Sequence, residues 1–223
     1  MNKQRRLRMK ITIWSDFICP FCYIGATHLE QALENFEHAD EVEIEYKSYQ
    51  LDPNAKYEPG KTYNEMMMDQ KGISSEQITQ MNQRVNTMAT EAGLDYDFDS
   101  MKLTDTFPAH RVFQYAKEAG KGIPYFNKLY EAYFTNGELI SDADVLKRIV
   151  SEIGLDAERA QEILDNDKDN DAKVVKDIYE ASQVGVQGVP FFVFNNKYGV
   201  NGAQPVETFE QVLSQVHEEF AED

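Results

Sequence analysis

The beginning of the chain carries two strand-like patterns of apolar residues on either side of a helical one. Residues 10–15 are rich in branched and aromatic side chains, which is typical of a buried strand. Pro20 stands where a helix can begin without losing a needed hydrogen-bond donor. Residues 42–51 alternate between apolar and polar positions and predict a second strand. Because a helix joins the two strands, we expect them to be parallel. The predicted helix has one apolar face, formed by Tyr23, Ala26, Leu29, Leu33 and Phe36.

The middle of the chain has a helical period for more than a hundred residues, beginning after the turn-rich segment 52–61. Ser74 and Gln77 have the spacing of a capping box, which predicts the start of a helix. Pro108 opens another helix that ends at Gly120. Further helices are expected over residues 125–135, from a Ser141 cap to about 153, from an Asp156 cap to about 164, and over about 169–184.

Strand patterns return near the end of the chain. Residues 190–194 are apolar, Asn195-Asn196 is a good tight turn, and residues 197–201 are expected to return antiparallel. After Pro205 a last helix has the inner face Phe209, Val212, Leu213, Val216 and Phe220.

These elements predict an α/β fold with one mixed sheet, built from a β-α-β half and a β-β-α half and interrupted by a large all-helical insertion. The predicted sheet domain comprises residues 9–61 and 185–223, and the predicted helical domain comprises residues 62–184. The helix that precedes residue 185 fits either domain.

The negative net charge of the chain disfavours binding partners that are themselves polyanions. Its 223 residues include 39 acidic and 22 Lys or Arg side chains, a net charge of −17. Phosphate backbones and anionic lipids repel such a chain, so neither nucleic acid nor a membrane is an expected partner. The first ten residues hold five basic and no acidic side chains, which fits a solvated tail or an early start codon ahead of Met9.

The N-terminal segment does not have the pattern of a secretory signal peptide. Ser15 and Asp16 interrupt the apolar region that such a peptide needs, and no small-residue cleavage site follows. The longest wholly apolar run, residues 189–194, is far shorter than the ~20 residues of a membrane helix. We therefore expect a cytoplasmic protein.

The chain has two cysteines, Cys19 and Cys22, in a C-x-x-C arrangement. In a chain without an export signal this spacing favours redox chemistry over a structural disulfide. If the helix begins at Pro20, its N-terminal amide groups favour the thiolate form of Cys19. Cys22 lies nearly one turn further on, within reach for a disulfide. These positions predict that Cys19 is the nucleophile and Cys22 the resolving thiol.

Two other interpretations of the cysteine pair are open. Half of a zinc site would need two more ligands, and the four histidines do not have the usual zinc-site spacing, so we expect no metal and no cofactor. An inert pair of buried thiols is the other alternative. It is disfavoured because sulfur at a strand-to-helix junction is expected to be exposed and electropositive.

Several segments together resemble the thioredoxin-fold DsbA family. They are W-S-D-F-I-C-P-F-C-Y-I-G near the start, and G-V-Q-G-V-P-F-F-V-F and Y-G-V-N-G-A-Q-P near the end. The amino-acid sequences of these motifs are similar to those of the cytoplasmic FrnE-type branch of the family. The resemblance implies a thiol-disulfide oxidoreductase that acts on protein or small-molecule thiols. It also implies a cis peptide bond between Val189 and Pro190 that faces Cys19. With Pro20 and Phe21, these two are the candidate substrate-binding residues.

Other residues are candidate modulators of the site. Periplasmic DsbA proteins have His where this chain has Phe21, which implies a weaker oxidant here. His110 lies in T-D-T-F-P-A-H-R, which resembles the opening of a helix near the active site of this branch, and it could tune a thiolate. Asp16, just before the active-site loop, is the second candidate. Met66, Met67 and Met68 fit either a substrate groove or core filling.

The function has two rival interpretations. Related thioredoxin-fold enzymes with a similar helical insertion imply a glutathione-dependent isomerase or transferase, with glutathione as a candidate partner. Retention of both cysteines argues against it. A non-enzymatic binding module with an apolar groove is the third interpretation.

Overall fold

A computed structural model describes residues 9–166 and 168–222, with side chains as far as residue 219. Most of the basic N-terminal segment, and the Phe220 side chain of the predicted last helical face, lie outside this part. The elements are β1 (Met9–Ser15), α1 (Pro20–Glu34), β2 (Val42–Ser48), α2 (Tyr63–Lys71), α3 (Ser75–Glu91), α4 (Phe107–Glu118), α5 (Gly122–Tyr130), α6 (Ala143–Glu152), α7 (Ala157–Asp165), α8 (Asp171–Gln183), β3 (Phe191–Phe194), β4 (Tyr198–Asn201) and α9 (Val206–Glu222). A π-helical turn, Glu131–Thr135, continues α5.

The four strands form one mixed sheet in the order β2-β1-β3-β4. Strands β1 and β2 are parallel, with Met9 opposite Val42 and Ser15 opposite Ser48. Strand β3 runs antiparallel to β1 and β4 antiparallel to β3. The predicted fold class is therefore confirmed: an α/β thioredoxin-like sheet with its helices α2–α8 inserted between β2 and β3.

Strand β2 is shorter than predicted, because the chain leaves β1 at Ser15 for the turn before α1. The Tyr49 N–H still donates to the Ser15 carbonyl at 3.0 Å. The Leu51 N–H then donates to the Asp16 carboxylate at 2.8 Å instead of to a strand. The hairpin between β3 and β4 follows the sequence prediction, with φ of 47° at Asn195 and 54° at Asn196, as a tight hairpin turn of this type requires.

The caps of the inserted helices correct two sequence predictions. Helix α2 was not predicted, although Thr62 and Glu65 form a complete capping box before it. The cap of α6 is Asp142 and not Ser141, whose hydroxyl accepts a hydrogen bond from the Thr104 hydroxyl at 2.7 Å. The predicted caps at Ser74 and Asp156 are present.

Helix α8 contacts the sheet directly. The Trp14 indole N–H donates to the Asp177 carbonyl at 2.9 Å, and the Ser48 N–H donates to the Asp177 carboxylate at 3.0 Å. Buried N–H groups need such acceptors, so these two hydrogen bonds tie α8 to the ends of β1 and β2. The last helix, α9, packs against α1 and β1.

The inserted helices also share the core of the sheet. Phe17, in the turn between β1 and α1, is fully buried, and its ring centroid is 4.5 Å from that of Phe126. This contact holds the turn that carries the cysteines. The aromatic core around it is Phe113, Tyr125, Phe126, Tyr130, Tyr133 and Phe134. No helix in the described part of the chain combines the length and apolar character needed to cross a bilayer.

Candidate functional site

Both cysteines lie in the first turn of α1. Cys19 is the residue before the helix, in an extended conformation (φ −87°, ψ 109°), and Pro20 is the first helical residue. The Cys22 N–H donates to the Cys19 carbonyl at 3.0 Å, which closes this turn. Within the described ranges no side chain caps this helix start, so the positive end of the helix dipole lies at Cys19. Both cysteines are free thiols.

The expected exposure of the sulfur was wrong. Cys19 is 3 % exposed and Cys22 is 1 % exposed. The reason is a segment far along the chain: the Cys19 thiol donates to the Val189 carbonyl at 3.4 Å, across 170 residues. The Val189–Pro190 peptide bond is cis, as the resemblance implied. Tertiary contact therefore covers a cysteine that the local helix start alone would leave open.

Cys22 has a different environment from Cys19. Burial raises the pKa of the Cys22 thiol well above its ordinary value, and the neighbouring Cys19 sulfur raises it further. Two groups work in the opposite direction, because hydrogen bonds from the Ser15 hydroxyl and the Asp16 backbone N–H stabilise the Cys22 thiolate. Cys22 is therefore a thiol at neutral pH.

An open groove of about 400 Å³ begins at Cys19 and runs between α1, α2 and α3. Three of its apolar side chains are unusually exposed: Phe21 at 38 %, Leu51 at 46 % and Met81 at 38 %. The groove is lined mainly by apolar groups and by few charges: Ile18, Cys19, Pro20, Phe21, Leu51, Asp52, Tyr63, Met67, Gln70, Lys71, Met81, Asn82, Val85, Phe98, Leu103, Gly188 and Val189. Exposed apolar side chains in such a groove mark a contact surface.

The methionines expected near this groove divide between its two possible roles. Met67 lines the groove, whereas Met66 is 3 % exposed and belongs to the core. Sequence reasoning missed Leu51 and Met81 as groove residues. The helical period predicted Met81 for the buried face of α3 with Ile78 and Val85, but Met81 lies at the border of that face and is 38 % exposed.

The structure brings the two predicted modulators together. His110 Nε2 lies 3.1 Å from Asp16 Oδ1, and neither side chain is exposed to solvent. Asp16 also accepts hydrogen bonds from the backbone N–H groups of Phe17 and Leu51, each at 2.8 Å. The centroid of the His110 ring lies 4.4 Å from that of the Phe17 ring, and His110 Nδ1 has no hydrogen-bond partner among the described residues. Through these hydrogen bonds of Asp16, the Asp16–His110 pair supports the turn before Cys19.

Tyr96 and Tyr63 are site residues that sequence reasoning missed. The Tyr96 hydroxyl donates to the Pro20 carbonyl at 2.8 Å, which fixes the backbone between the cysteines. Tyr63 lines the groove. Burial, with a smaller effect of a Cys19 thiolate, raises the pKa of Tyr63 to about 12. Burial also raises the pKa of Tyr96, so both hydroxyls stay protonated as hydrogen-bond donors near the cysteine pair.

One cluster in the described ranges has side chains of the kind that bind metals: His38, Glu41 and His217, whose ligand atoms all lie within 4.8 Å of one another. The cluster lies at the end of the sheet where strands β1 and β2 begin, whereas Cys19 follows the opposite end of β1. The two imidazole rings are stacked 3.8 Å apart at 13°. Because lone pairs of parallel rings do not converge, this arrangement does not form a metal site without rotation of a ring.

Comparison with known proteins agrees with this geometry. The uncharacterized protein YwbO of Bacillus subtilis (strain 168) is 26 % identical over 215 residues, which cover 93 % of this chain and 97 % of YwbO. The crystal structure of the probable DsbA oxidoreductase SCO1869 from Streptomyces coelicolor superposes with a TM-score of 0.89 at 35 % identity, covering 95 % of this chain and 91 % of that one.

A third similarity concerns the fold alone. The cytosolic disulfide reductase DsbM from Pseudomonas aeruginosa, in a structure with GSH, superposes with a TM-score of 0.64 at 16 % identity, covering 93 % of this chain and 99 % of that one. The sequence model of the DSBA-like thioredoxin domain matches residues 10–214. With its cysteine pair at the start of α1 and a cis proline segment over it, the chain belongs to the DSBA-like thioredoxin domain family of thiol-disulfide oxidoreductases.

Proposed function

We propose that the protein exchanges disulfides through the pair Cys19 and Cys22, on thiol or disulfide substrates that enter the apolar groove. One observation carries this proposal: the Cys19 sulfur stands at an uncapped helix start, 3.4 Å from the Val189 carbonyl and on the wall of an open groove. A nucleophilic thiolate, a resolving thiol and a surface for substrate are thus in one place.

The exchange has two steps in the reducing direction. The Cys19 thiolate attacks one sulfur of a substrate disulfide, a Cys19–substrate disulfide forms, and the other substrate sulfur leaves as a thiolate with the electron pair. Cys22 then loses its proton and attacks the Cys19 sulfur. The Cys19–Cys22 disulfide forms, and the second substrate thiolate leaves. The oxidised pair accepts two electrons from a substrate dithiol when the steps run in reverse.

Val189, Pro190, Pro20 and Phe21 are proposed to bind the substrate. The Val189 backbone lies beside the reactive sulfur, where an extended peptide can add hydrogen bonds in the manner of a β-strand. The exposed Phe21 ring offers apolar contact next to the cysteines. Glutathione is the proposed small-molecule thiol and the cytoplasm the proposed compartment, since the similarly folded DsbM is a cytosolic reductase whose structure was determined with GSH.

We assign residues 9–61 and 185–223 to a sheet domain and residues 62–184 to a helical domain. The contacts of Asp177 with Trp14 and Ser48 support placing α8 with the sheet, although it lies before residue 185. The Asp16–His110 pair is proposed to hold the turn before Cys19, because the Asp16 carboxylate joins the backbone of Phe17 to that of Leu51.

Trapping of mixed disulfides tests the assignment of roles. A Cys22→Ala variant treated with oxidised glutathione should accumulate a mixed disulfide on Cys19, because no resolving thiol remains. The matched Cys19→Ala variant should accumulate little, since Cys22 does not line the groove and burial raises the pKa of its thiol. Intact-protein mass spectrometry measures both. Equal trapping by the two variants would refute the roles, and undiminished turnover with glutathione by Cys22→Ala would favour a glutathione-dependent isomerase instead.

A further inference from the structure

The Tyr96 hydroxyl donates its proton to the backbone between the two cysteines. Its oxygen is 2.8 Å from the Pro20 carbonyl oxygen, across 76 residues. A carbonyl can only accept, so the direction of this hydrogen bond is fixed. Tyr96 lies in the segment between α3 and α4, and its side chain is buried. A buried phenol from the inserted part of the chain therefore acts on the turn that carries the cysteines.

Contacts with the π-helical turn after α5 hold Tyr96 in place. Its ring stacks on that of Phe134, with centroids 4.6 Å apart and planes at 20°. The Asp97 N–H donates to the Phe134 carbonyl at 2.8 Å. On the other side of Tyr96, the Thr135 hydroxyl donates to the Asp95 carbonyl at 2.7 Å. Phe134 and Thr135 both belong to the π-helical turn, so this turn fixes the direction of the Tyr96 hydroxyl. π-Helical turns are frequent at functional sites.

The Cys19 sulfur needs a new hydrogen-bond donor when it ionises. The Cys19 thiol donates to the Val189 carbonyl at 3.4 Å, and a thiolate has no proton for this bond. The side chain of the residue before a helix accepts hydrogen bonds from the second or third N–H of that helix. The third, that of Cys22, already donates to the Cys19 carbonyl at 3.0 Å. The second, that of Phe21, is then the donor left for the sulfur.

The Tyr96 hydrogen bond and this donor belong to one peptide group. The Pro20 carbonyl and the Phe21 N–H are the two ends of the peptide bond that follows Pro20. A hydrogen bond to the carbonyl withdraws electron density through the conjugated amide and makes its N–H a stronger donor. The same bond also restrains rotation of the peptide plane. Both effects favour a negative charge on the Cys19 sulfur.

We propose that Tyr96 is a positioning residue that, through the peptide group of Pro20 and Phe21, stabilises the Cys19 thiolate before it attacks a substrate disulfide. The inference rests on the proposed function and extends it. In the attack, the thiolate bonds to one substrate sulfur while the bond between the two substrate sulfurs breaks. The other sulfur leaves with that electron pair and takes up a proton from solvent, so the substrate disulfide is itself the oxidant.

The redox equilibrium with glutathione tests this role. A hydrogen bond that only held the turn together would act equally on both redox states, whereas one that stabilises a thiolate favours the reduced state. In a buffer of fixed reduced and oxidised glutathione, Tyr96→Phe should therefore lower the ratio of reduced to oxidised protein by about threefold. This change is a shift of about 14 mV toward a more reducing pair, from ~30 mV for each factor of ten. Alkylation of free thiols followed by mass spectrometry measures the ratio.

A pH titration of the thiolate gives a second readout. In a Cys22→Ala background, Cys19 is the remaining thiol, and its thiolate is followed by ultraviolet absorbance. With Tyr96→Phe added, the thiolate should appear about half a pH unit higher than in the parent variant, which is the same threefold effect.

Tyr133→Phe is the matched control. Tyr133 is fully buried, and its ring packs edge-on against Phe134 at 4.8 Å between centroids. Its hydroxyl has no hydrogen-bond partner among the described residues. This variant loses a buried phenol hydroxyl beside the same ring and should keep the wild-type ratio. Thr135→Val removes the donor to the Asp95 carbonyl and should lower the ratio by about twofold, which keeps the test available if Tyr96→Phe folds poorly.

The outcomes distinguish this inference from the proposed function. An unchanged or raised ratio in Tyr96→Phe overturns the inference, as does an equal fall in Tyr133→Phe. If Tyr96→Phe does not fold, an unchanged ratio in Thr135→Val overturns it. In each case a wild-type protein that forms a Cys19–Cys22 disulfide in oxidised glutathione leaves the proposed function standing. A wild-type protein that forms no such disulfide overturns both.

Discussion

Gly25 lies where α1 passes closest to the segment that covers Cys19. A Cβ added at this position would come 3.1 Å from Pro190 Cγ, 3.2 Å from Phe192 Cζ and 3.3 Å from Ala203 Cα. These distances are shorter than ordinary carbon contacts, and one of the neighbours is a backbone atom. Gly25→Ala should therefore push the Pro190 segment away from α1 by a few tenths of an ångström.

The size of the effect follows from two opposing terms. Alanine is about 1 kcal/mol more favourable than glycine inside a helix. An extra methyl group in a packed core costs about 1–3 kcal/mol. The variant should lose about 0–2 kcal/mol of unfolding free energy, a fall of roughly 2–4 °C in Tm for each kcal/mol in a chain of this size.

The activity of Gly25→Ala should fall more clearly than its stability. The Val189 carbonyl and the Cys19 sulfur are 3.4 Å apart, and a displaced Pro190 segment changes this distance. A shift of a few tenths of an ångström should slow disulfide exchange by about threefold. Urea denaturation measures the first effect, and reduction of a disulfide substrate under native conditions measures the second.

Gly122→Ala provides the control for crowding alone. Its added Cβ would lie 3.2 Å from Phe113 Cε2, a comparable contact that does not involve the Pro190 segment. The unfolding free energy of Gly122→Ala should differ from that of the wild type, whereas its rate of disulfide exchange should equal the wild-type rate. If Gly25→Ala matches the wild type in both stability and exchange rate, the reasoning about close packing between α1 and Pro190 is wrong.

Two further predictions concern buried ionisable groups. Asp16→Ala removes the carboxylate that accepts hydrogen bonds from the Phe17 and Leu51 N–H groups and contacts His110. The unfolding free energy measured by urea titration should therefore fall by about 3–5 kcal/mol, and by less in Asp16→Asn. A loss below about 1 kcal/mol would contradict the role of this carboxylate. Burial raises the pKa values of Cys22, Tyr125 and Tyr130, so the folded state keeps protons that the unfolded chain releases from about pH 9 upward. Stability of the reduced protein should therefore fall as pH rises above about 9, and a flat profile of unfolding free energy in this range would be inconsistent with these burials.

The local features of the fold were accessible from the sequence. The parallel pair β1 and β2, the Asn195-Asn196 hairpin and the Ser74 capping box were all predicted and are present. Each depends on the period of apolar residues or on side chains within a few positions, which are properties of short segments. Even so, β2 ends early because its partner strand turns away, which no pattern inside β2 records.

The candidate site was only partly accessible. The C-x-x-C spacing and the helix start at Pro20 indicated the two cysteines, and the family resemblance implied a cis bond before Pro190. The burial of Cys19 and the contact between the Ser15 and Tyr130 hydroxyls were not predicted, and an apolar groove was considered only as one role of the methionines at 66–68 and in the binding-module interpretation. Each arises from contacts between distant parts of the chain.

The sequence alone determined the order of elements, the mixed sheet and the C-x-x-C pair at a helix start on which the proposed chemistry depends, because period, caps and residue type act locally. Tertiary structure decided what surrounds the cysteine pair: Val189 at 170 residues from Cys19, and Tyr96 at 76 residues from Pro20. These contacts depend on how packed helices and strands are placed around a common core, and no short segment of the chain contains that information.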